Sequence, residues 1–347
     1  MASQRLSRSS RSSPNQAWTA DGLLSLGRSY QAAAVFAAAA DLELFDALAG
    51  GSLTAKAMAR RLRCALRGLI ILLDALVAVR LLNKRGDRYA LPKGGAALLT
   101  ADGPKSILAM AQHQANCLRR WAQLAKVVKR GRPAERIPSL RGAAGDAAAF
   151  IGAMHNISAP VADRIIQAMQ PLRFKHLLDL GGASGTWTIG FLRACPTAAA
   201  TLFDLPHVIP MARRRLAAAG LGRRVKFAAG DFMADPLPQG ADLAWVSAIV
   251  HQNSRAQNRA LFAKVFQALI PGGRIAIRDV LMKRTRNRPV AGALFAVNML
   301  VATEGGGTFT FEELREDLEA AGFRRVRVQR RDEAMNSIVV ATKPESR

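Results

Sequence analysis

Apolar positions recur with helical spacing in the first third of the chain, from about residue 17 to residue 98. They predict a short capped helix over 54–62 and a longer helix over 65–82. The next stretch, 83–91, alternates around a Gly-containing turn and predicts a β-hairpin. Two helices, a longer helix and a hairpin in this order are typical of a winged-helix domain.

The second half of the chain instead shows short apolar runs separated by helical text. Helical spacing over 107–128 is followed by a basic, loop-like stretch, and 150–171 predicts one helix leading into the second half. The predicted strands are 176–180, 200–204, 224–229, 242–247, 274–280, 324–329 and 336–342. Helices alternate with the first five, which predicts an α/β fold with a parallel, doubly wound sheet.

One glycine-rich stretch, HLLDLGGASGTW over 176–187, joins the first of these strands to a helix. Such a loop is how an open α/β sheet forms a nucleotide-type site. A dinucleotide fingerprint would place glycines third and sixth from Gly181, where this chain has Ala183 and Thr186. The spacing therefore disfavours a pyrophosphate ligand.

Acidic residues end three successive predicted strands. Asp179 belongs to the first, Asp204 ends the second in TLFD, and Asp231 follows the third in GDF. A carboxylate at the second position is placed to accept hydrogen bonds from both ribose hydroxyls. Asp231 and the ring of Phe232 can meet an adenine, so the set predicts a site for adenosine without phosphates.

Charge points toward a different kind of partner. The chain has 50 Lys and Arg residues against 25 Asp and Glu, for a net charge of +25. Such an excess suits nucleic acid through phosphate contacts. The basic residues are scattered, however, and arginine and alanine are abundant, as a GC-rich genome would also produce. We interpret the charge as compositional and expect no nucleic-acid partner.

Cysteine usage and apolar run length bear on location. Three widely spaced cysteines, Cys64, Cys117 and Cys195, indicate neither a disulfide framework nor a metal cluster. No apolar run reaches the roughly 18 to 20 residues of a membrane span. We therefore expect a cytoplasmic protein with no metal and no membrane partner. The Ser- and Arg-rich start predicts a disordered tail over 1–16 rather than a transit peptide.

Five motifs in order carry a family resemblance: LLDLGGASG, TLFDLPHV, GDFMADPLP, VSAIVHQN and ALIPGGRIAIRD. Together they resemble the class I S-adenosylmethionine (SAM)-dependent O-methyltransferases, the family of the caffeate, hydroxyindole and polyketide enzymes, over roughly residues 20 to 342. The resemblance implies a homodimer formed through an N-terminal winged-helix domain and a Rossmann-like catalytic domain. The implied divisions are a tail (1–16), a winged-helix dimerisation domain (17–100), a helical linker with substrate-roof helices (101–171) and a SAM-binding catalytic domain (172–347).

The resemblance also assigns binding residues by matching position. For SAM, with S-adenosylhomocysteine (SAH) as its product, these are Asp179, Gly181, Gly182, Gly185, Asp204, Leu205, Gly230, Asp231, Phe232 and Ser247. For the acceptor they are Phe150, Met154, His155, Asn298 and Met299. Their apolar character predicts a hydroxylated aromatic or polyketide-like small molecule.

His251, which follows the fourth strand, matches the family's catalytic base. A histidine side chain, with an ordinary pKa of about 6.5, is largely neutral at pH 7 and able to take a proton from a hydroxyl. Two acids usually flank this imidazole. Asp279 matches the first, but Thr308 stands at the second position. Three consequences stay open: slow turnover, a more acidic acceptor, or Glu304 as the substitute acid.

Other functions stay open at this stage. A member of the same family could methylate carbon or nitrogen, or the chain could be a nucleic-acid-binding winged-helix regulator with a degenerate methyltransferase domain. A nucleic-acid methyltransferase would need an Asn/Asp-Pro-Pro motif or a Pro-Cys nucleophile. Neither is present, because the fourth strand ends in AIVHQN and Cys195 precedes its proline.

Overall fold

The computed structural model describes residues 17–345 and divides into two compact units between Lys93 and Gly94. The predicted tail over 1–16 lies outside the described residues. The family resemblance places this domain boundary at residue 100.

The first unit is mainly helical, with a small sheet. Its elements are α1 (Ala20–Arg28), α2 (Tyr30–Asp41), α3 (Leu44–Ala47), β1 (Leu53–Thr54), α4 (Ala55–Leu62), α5 (Leu66–Ala78), β2 (Asn83–Arg85) and β3 (Arg88–Ala90). β3 pairs antiparallel with both β1 and β2.

Local sequence signals account for this unit. Thr54 caps α4 by accepting a hydrogen bond from the backbone N–H of Ala57. The predicted short helix and hairpin are confirmed, but the longer helix ends at Ala78 rather than at 82. Arg80 adopts the left-handed conformation, φ 62°, and a chain in that region turns out of the helix.

The second unit contains ten helices and nine strands within its described residues. The helices are α6 (Gly95–Leu99), α7 (Leu108–Trp121), α8 (Leu124–Arg130), α9 (Gly142–Ser158), α10 (Ala162–Ala168), α11 (Thr186–Ala194), α12 (Ile209–Ala218), α13 (Arg255–Ala268), α14 (Val290–Ala302) and α15 (Phe311–Ala320). The strands are β4 (His176–Leu180), β5 (Ala199–Asp204), β6 (Val225–Ala229), β7 (Ala241–Ser247), β8 (Leu269–Asp279), β9 (Leu281–Met282), β10 (Phe309–Thr310), β11 (Arg324–Arg330) and β12 (Ser337–Thr342).

Seven of these strands form one sheet in the order β11-β12-β8-β7-β4-β5-β6. The five neighbouring strands β8, β7, β4, β5 and β6 run parallel, which confirms the prediction of a parallel doubly wound core. β12 runs antiparallel to both β8 and β11. The connection over 331–336 is too short for a parallel crossover, so the last two strands pair as a hairpin.

Two apolar layers enclose the sheet. One joins the sheet to α13 and α15, and the other joins it to α10, α11 and α12. Strands buried on both faces read as continuous apolar runs, which is why they were visible in the sequence. The carboxyl ends of the parallel strands therefore meet at one edge, where ligands bind in open α/β sheets.

Two helix predictions in this unit need correction. The helix predicted over 150–171 is two helices, α9 and α10, which separate at 159–161. Pro160 cannot donate the hydrogen bond that a continuous helix would require there. Similarly, the helical text over 107–128 is divided between α7 and α8.

Candidate active site

The glycine-rich loop connects β4 to α11 at the carboxyl edge of the sheet. Gly181 and Gly185 have φ of 64° and 74°, in the left-handed region that favours glycine. Ala183, between them, also has positive φ, 46°, at a cost of about 1 kcal/mol relative to glycine. A side chain at Gly182 would come within 2.5 Å of Leu202 Cγ, so the loop can only pack this closely on β5 without one.

Asp179 lies beneath this loop and not on its surface. Its carboxylate is 1% exposed and accepts a hydrogen bond from the Thr188 hydroxyl. Burial, with the nearby Asp204 carboxylate, raises the pKa of Asp179 to about 7, although the Thr188 hydrogen bond acts in the opposite direction. Asp179 therefore supports the loop from below.

Asp204 ends β5 beside the loop. Its Oδ2 accepts the Ala183 N–H at 2.7 Å, and its Oδ1 accepts the Leu205 N–H at 2.7 Å. Burial raises the pKa of this carboxyl, while the two N–H donors act in the opposite direction. Each oxygen keeps a second lone pair, so the fixed carboxylate can still accept two hydroxyl groups.

One lysine side chain fixes the loop after β6 by hydrogen bonds to its carbonyls. Lys264 Nζ donates to the carbonyls of Phe232, Met233 and Asp235, at 3.2, 2.7 and 3.0 Å. The exposed carboxylate of Asp231 accepts the Met233 N–H at 2.8 Å. Phe232 is half-buried against the core. A side chain at Gly230 would meet the Phe203 ring at 2.7 Å, so this turn also requires glycine.

His251 lies in a 3₁₀ turn that follows β7, and 6% of the residue is exposed. Its Nδ1 is 2.9 and 3.0 Å from the two carboxylate oxygens of Asp279 at the end of β8. This contact assigns the proton to Nδ1 and the free lone pair to Nε2. The Phe295 ring packs edge-on against the imidazole, with the centroids 4.7 Å apart.

Backbone contacts fix the His251 turn. Asn258 is fully buried; its Nδ2 donates to the Val250 carbonyl at 2.9 Å and its Oδ1 accepts from Asn253 at 3.1 Å. The Gly307 N–H donates to the His251 carbonyl at 2.9 Å. The sequence interpretation missed Asn253, Asn258 and Phe295. Residues 252–259 read QNSRAQNR, so these two amides do not stand out from their polar neighbours in the sequence.

The structure does not bring a second acid to the imidazole. Among residues 17–345, Asp279 is the only carboxylate bonded to His251. Thr308 is buried, and its carbonyl accepts from Arg286 Nη1 at 2.9 Å. Glu304 is exposed and makes no hydrogen bond or ion pair with the imidazole in the described chain. The geometry is that of a His-Asp pair.

Asn298 and Met299, the acceptor-binding residues expected on α14, lie about one helical turn after Phe295, whose ring contacts His251. Asn298 Oδ1 accepts the indole N–H of Trp121 on α7 at 2.9 Å. Met299 is buried, and Phe295 precedes Asn298 by three residues on the same helix face. This face of α14 therefore leads from the imidazole to α7.

The acceptor residues expected on α9 separate into two groups. Phe150 is 44% exposed, and its ring lies 5.3 Å from that of His113 on α7; Met154, one turn later, is half-buried. His155 instead contacts two other helices: its Nδ1 lies 2.9 Å from Thr186 Oγ1 on α11, and its Nε2 lies 3.2 Å from Arg215 Nη2 on α12. Burial and the Arg215 charge lower the His155 pKa.

Two features of the described residues concern membrane and metal binding. No helix within residues 17–345 has both the length and the apolar character to cross a bilayer. Over the same range, no three His, Cys, Asp or Glu side chains gather as a cation site would require.

Comparisons with known proteins identify a family for both parts of the chain. A family model described as an O-methyltransferase domain matches residues 121–324, and an O-methyltransferase dimerisation domain matches 24–101. The 3-hydroxy-5-methyl-1-naphthoate 3-O-methyltransferase of Streptomyces sahachiroi is 33% identical over 84% of this chain and 86% of its own length. The N,N-dimethyltransferase OxyT of Streptomyces rimosus is 30% identical over 94% and 97%. The crystal structure of human N-acetylserotonin methyltransferase with SAM superposes with a TM-score of 0.79 at 26% identity, covering 96% of this chain and 99% of that one.

Proposed function

We propose, from the premise that this chain belongs to the SAM-dependent O-methyltransferase family, that it methylates a hydroxyl group of a small aromatic or polyketide-like acceptor. The observation that carries the proposal is the buried His251–Asp279 pair at the carboxyl edge of the sheet, beside the glycine-rich loop.

The residues at that edge fit SAM. Asp204 is fixed by two backbone N–H groups and retains lone pairs for the ribose hydroxyls. Asp231 is exposed, and the ring of Phe232 lies beside it for the adenine. Leu205 is 40% exposed next to Asp204 and can cover the other face of the base. When bound, SAM supplies an electrophilic methyl group.

His251 would act as the general base. Because the Nδ1–H of His251 donates a hydrogen bond to Asp279, Nε2 is the nitrogen that can take the proton of an acceptor hydroxyl. The Asp279 carboxylate then stabilises the imidazolium that forms. A positioned base contributes about 10²- to 10⁴-fold, and the orientation of the two reactants contributes the larger share of the rate.

An aromatic acceptor suits the residues around the imidazole. The ring of Phe295 on α14 gives a flat apolar surface against the imidazole, and the family resemblance adds Phe150, Met154 and Met299, of which the methionines can adapt to a ring. The naphthoate relative acts on a hydroxylated aromatic ring of this kind. We therefore infer a phenolic hydroxyl as the methylated group.

N-methylation is the second candidate, because OxyT, an N,N-dimethyltransferase, matches nearly the whole chain. The same His-Asp pair could take a proton from an ammonium group. The two candidates are separated by offering the enzyme matched phenol and aniline acceptors of one ring system.

We also infer that the protein is a homodimer. A dimerisation domain matches 24–101, and α1 has no buried residue although it is amphipathic. Its apolar side chains Leu23, Leu24 and Leu26 are each more than half exposed, and Trp18, just before the helix, is 67% exposed. A second copy is the occupant that the matched domain implies, and light scattering of the purified protein would measure it.

The experiment that tests the proposed function is calorimetric titration with SAM and SAH, beside Asp204→Ala. Micromolar binding that Asp204→Ala reduces at least about 100-fold supports the cofactor site. Asp242→Ala is unsuitable as a control because Asp242 accepts two backbone N–H groups, whereas the exposed Glu316→Ala is suitable. The absence of binding by the folded protein would contradict the proposal.

A further inference from the structure

Arg278 is a buried cation that none of the roles above uses. It lies on β8 next to Asp279, and only 1% of it is exposed. Its Nε and Nη2 donate to Asn336 Oδ1 at 3.0 and 2.6 Å, and its Nη1 donates to Ser247 Oγ at 3.2 Å. Its guanidinium stacks on Trp187, 4.7 Å from the ring centroid.

The partners of this guanidinium are neutral. Within residues 17–345 no carboxylate forms an ion pair with Arg278. Burial lowers the Arg278 pKa to about 10, which still leaves the group charged at pH 7. The carboxylates of Asp279 and Asp332 act on Arg278 from a distance and raise its pKa, but neither bonds to it, so an anionic group arriving nearby would stabilise the buried charge further.

The position of Arg278, Ser247 and Trp187 in the fold indicates which ligand group would supply that anion. Ser247 ends β7 and pairs with Arg278, and the preceding Val246 pairs with Leu180 at the end of β4. Ser247 is therefore level with the glycine-rich loop, and Trp187 belongs to the first turn of the helix that the loop begins. Ser247 is half-buried, whereas Arg278 below it is closed off.

Ser247 Oγ makes its one hydrogen bond within the described chain as an acceptor from Arg278. Its own proton is consequently available to a ligand, and the charge behind it strengthens that donation. We propose that Arg278 and Ser247 together recognise the carboxylate of the methionyl part of SAM, with Ser247 making the contact and Arg278 acting through it. This inference rests on the cofactor placement proposed above.

The test compares two ligands that differ only in the carboxylate: SAM and decarboxylated SAM. Their dissociation constants are measured by calorimetry for the wild type, Arg278→Met and Ser247→Ala. Methionine fills the space beside Trp187 without a charge. Arg274→Met is the matched control, because Arg274 lies four residues earlier on the same face of β8 and its Nη2 bonds only to the Arg173 carbonyl.

We expect the wild type to bind SAM about 10- to 100-fold more tightly than decarboxylated SAM. Arg278→Met and Ser247→Ala should reduce this ratio to within about threefold of unity. Binding of decarboxylated SAM should change by less than about threefold, and Arg274→Met should keep the wild-type ratio. Thermal melting of each variant checks that it folds.

A ratio near unity in the wild type would overturn the inference, as would an equal loss of both ligands in Arg278→Met. If the folded wild type binds neither ligand, the proposed function itself fails, which is a separate result. The double variant Ser247→Lys, Arg278→Met provides a second reading. An ammonium placed directly at 247 should restore the preference for SAM, and a purely structural arginine would not be replaced in this way.

Discussion

The imidazole Nδ1 of His251 lies 2.9 and 3.0 Å from the two carboxylate oxygens of Asp279. His251 follows β7 and Asp279 ends the neighbouring strand β8, and both residues are more than nine-tenths buried. Asp279 Oδ1 also accepts the Val280 N–H at 2.8 Å, so the carboxylate cannot rotate away. The pair therefore fixes both the orientation of the imidazole and the nitrogen that carries its proton.

Asp279→Asn should lower the rate of methyl transfer about 10- to 100-fold. The amide keeps the shape of the side chain, but it stabilises the imidazolium less and can hold the wrong tautomer. The SAM dissociation constant should stay within about twofold. Transfer of labelled methyl from SAM to a phenolic acceptor measures the rate, and Glu316→Gln, which alters an exposed carboxylate, is the control. An unchanged rate would show that the pair is only structural.

Asn258→Leu should destabilise the His251 turn. It leaves the Val250 carbonyl without its buried donor and removes the acceptor of Asn253, at a cost of about 1 to 3 kcal/mol. Both the denaturant midpoint and the methyl-transfer rate should fall. Asn287→Leu, on an exposed loop, is the comparison, and an equal midpoint in the two variants would contradict this account.

The pairing of His251 with Asp279 and the five parallel strands could be predicted from the sequence, but the residues that surround them could not. His251 and Asp279 were identified by their place in ordered motifs, and the strands by buried apolar runs. Phe295 and Arg278 were missed because their contacts join different elements: Phe295 on α14 meets the imidazole, and Arg278 bonds to Asn336 across 58 residues. No local pattern encodes such contacts.

Lys264→Met should weaken SAM binding about tenfold. The lysine donates to three carbonyls of the loop that carries Asp231 and Phe232, and without it that loop loses its fixed shape. Lys226→Met, an exposed lysine on β6, is the matched control. Calorimetry with SAH measures the difference. If both variants bind like the wild type, the loop is held by its own backbone.

Asp179 should make stability depend on pH. Its pKa is about 7 in the folded protein and about 3.9 in the unfolded chain, so the folded state binds more protons between these values. The free energy of unfolding should consequently fall as pH rises from about 4 to 7, by up to about 1.4 kcal/mol per unit, and level off above 7.

Asp179→Asn removes this titration and keeps an acceptor for Thr188. Urea unfolding at pH 5, 6, 7 and 8 should show that the free energy of unfolding of the variant increases relative to that of the wild type as pH rises. Parallel curves for the two proteins would mean that the Asp179 pKa is not raised.

The single measurement that tests the account most directly is the rate of methyl transfer by His251→Ala. It is taken together with SAM binding, and Asn287→Ala, on an exposed loop, serves as the control. We expect the rate to fall about 10²- to 10⁴-fold while the SAM dissociation constant changes less than about threefold. A rate within threefold of the wild type would contradict the assignment of His251 as the base.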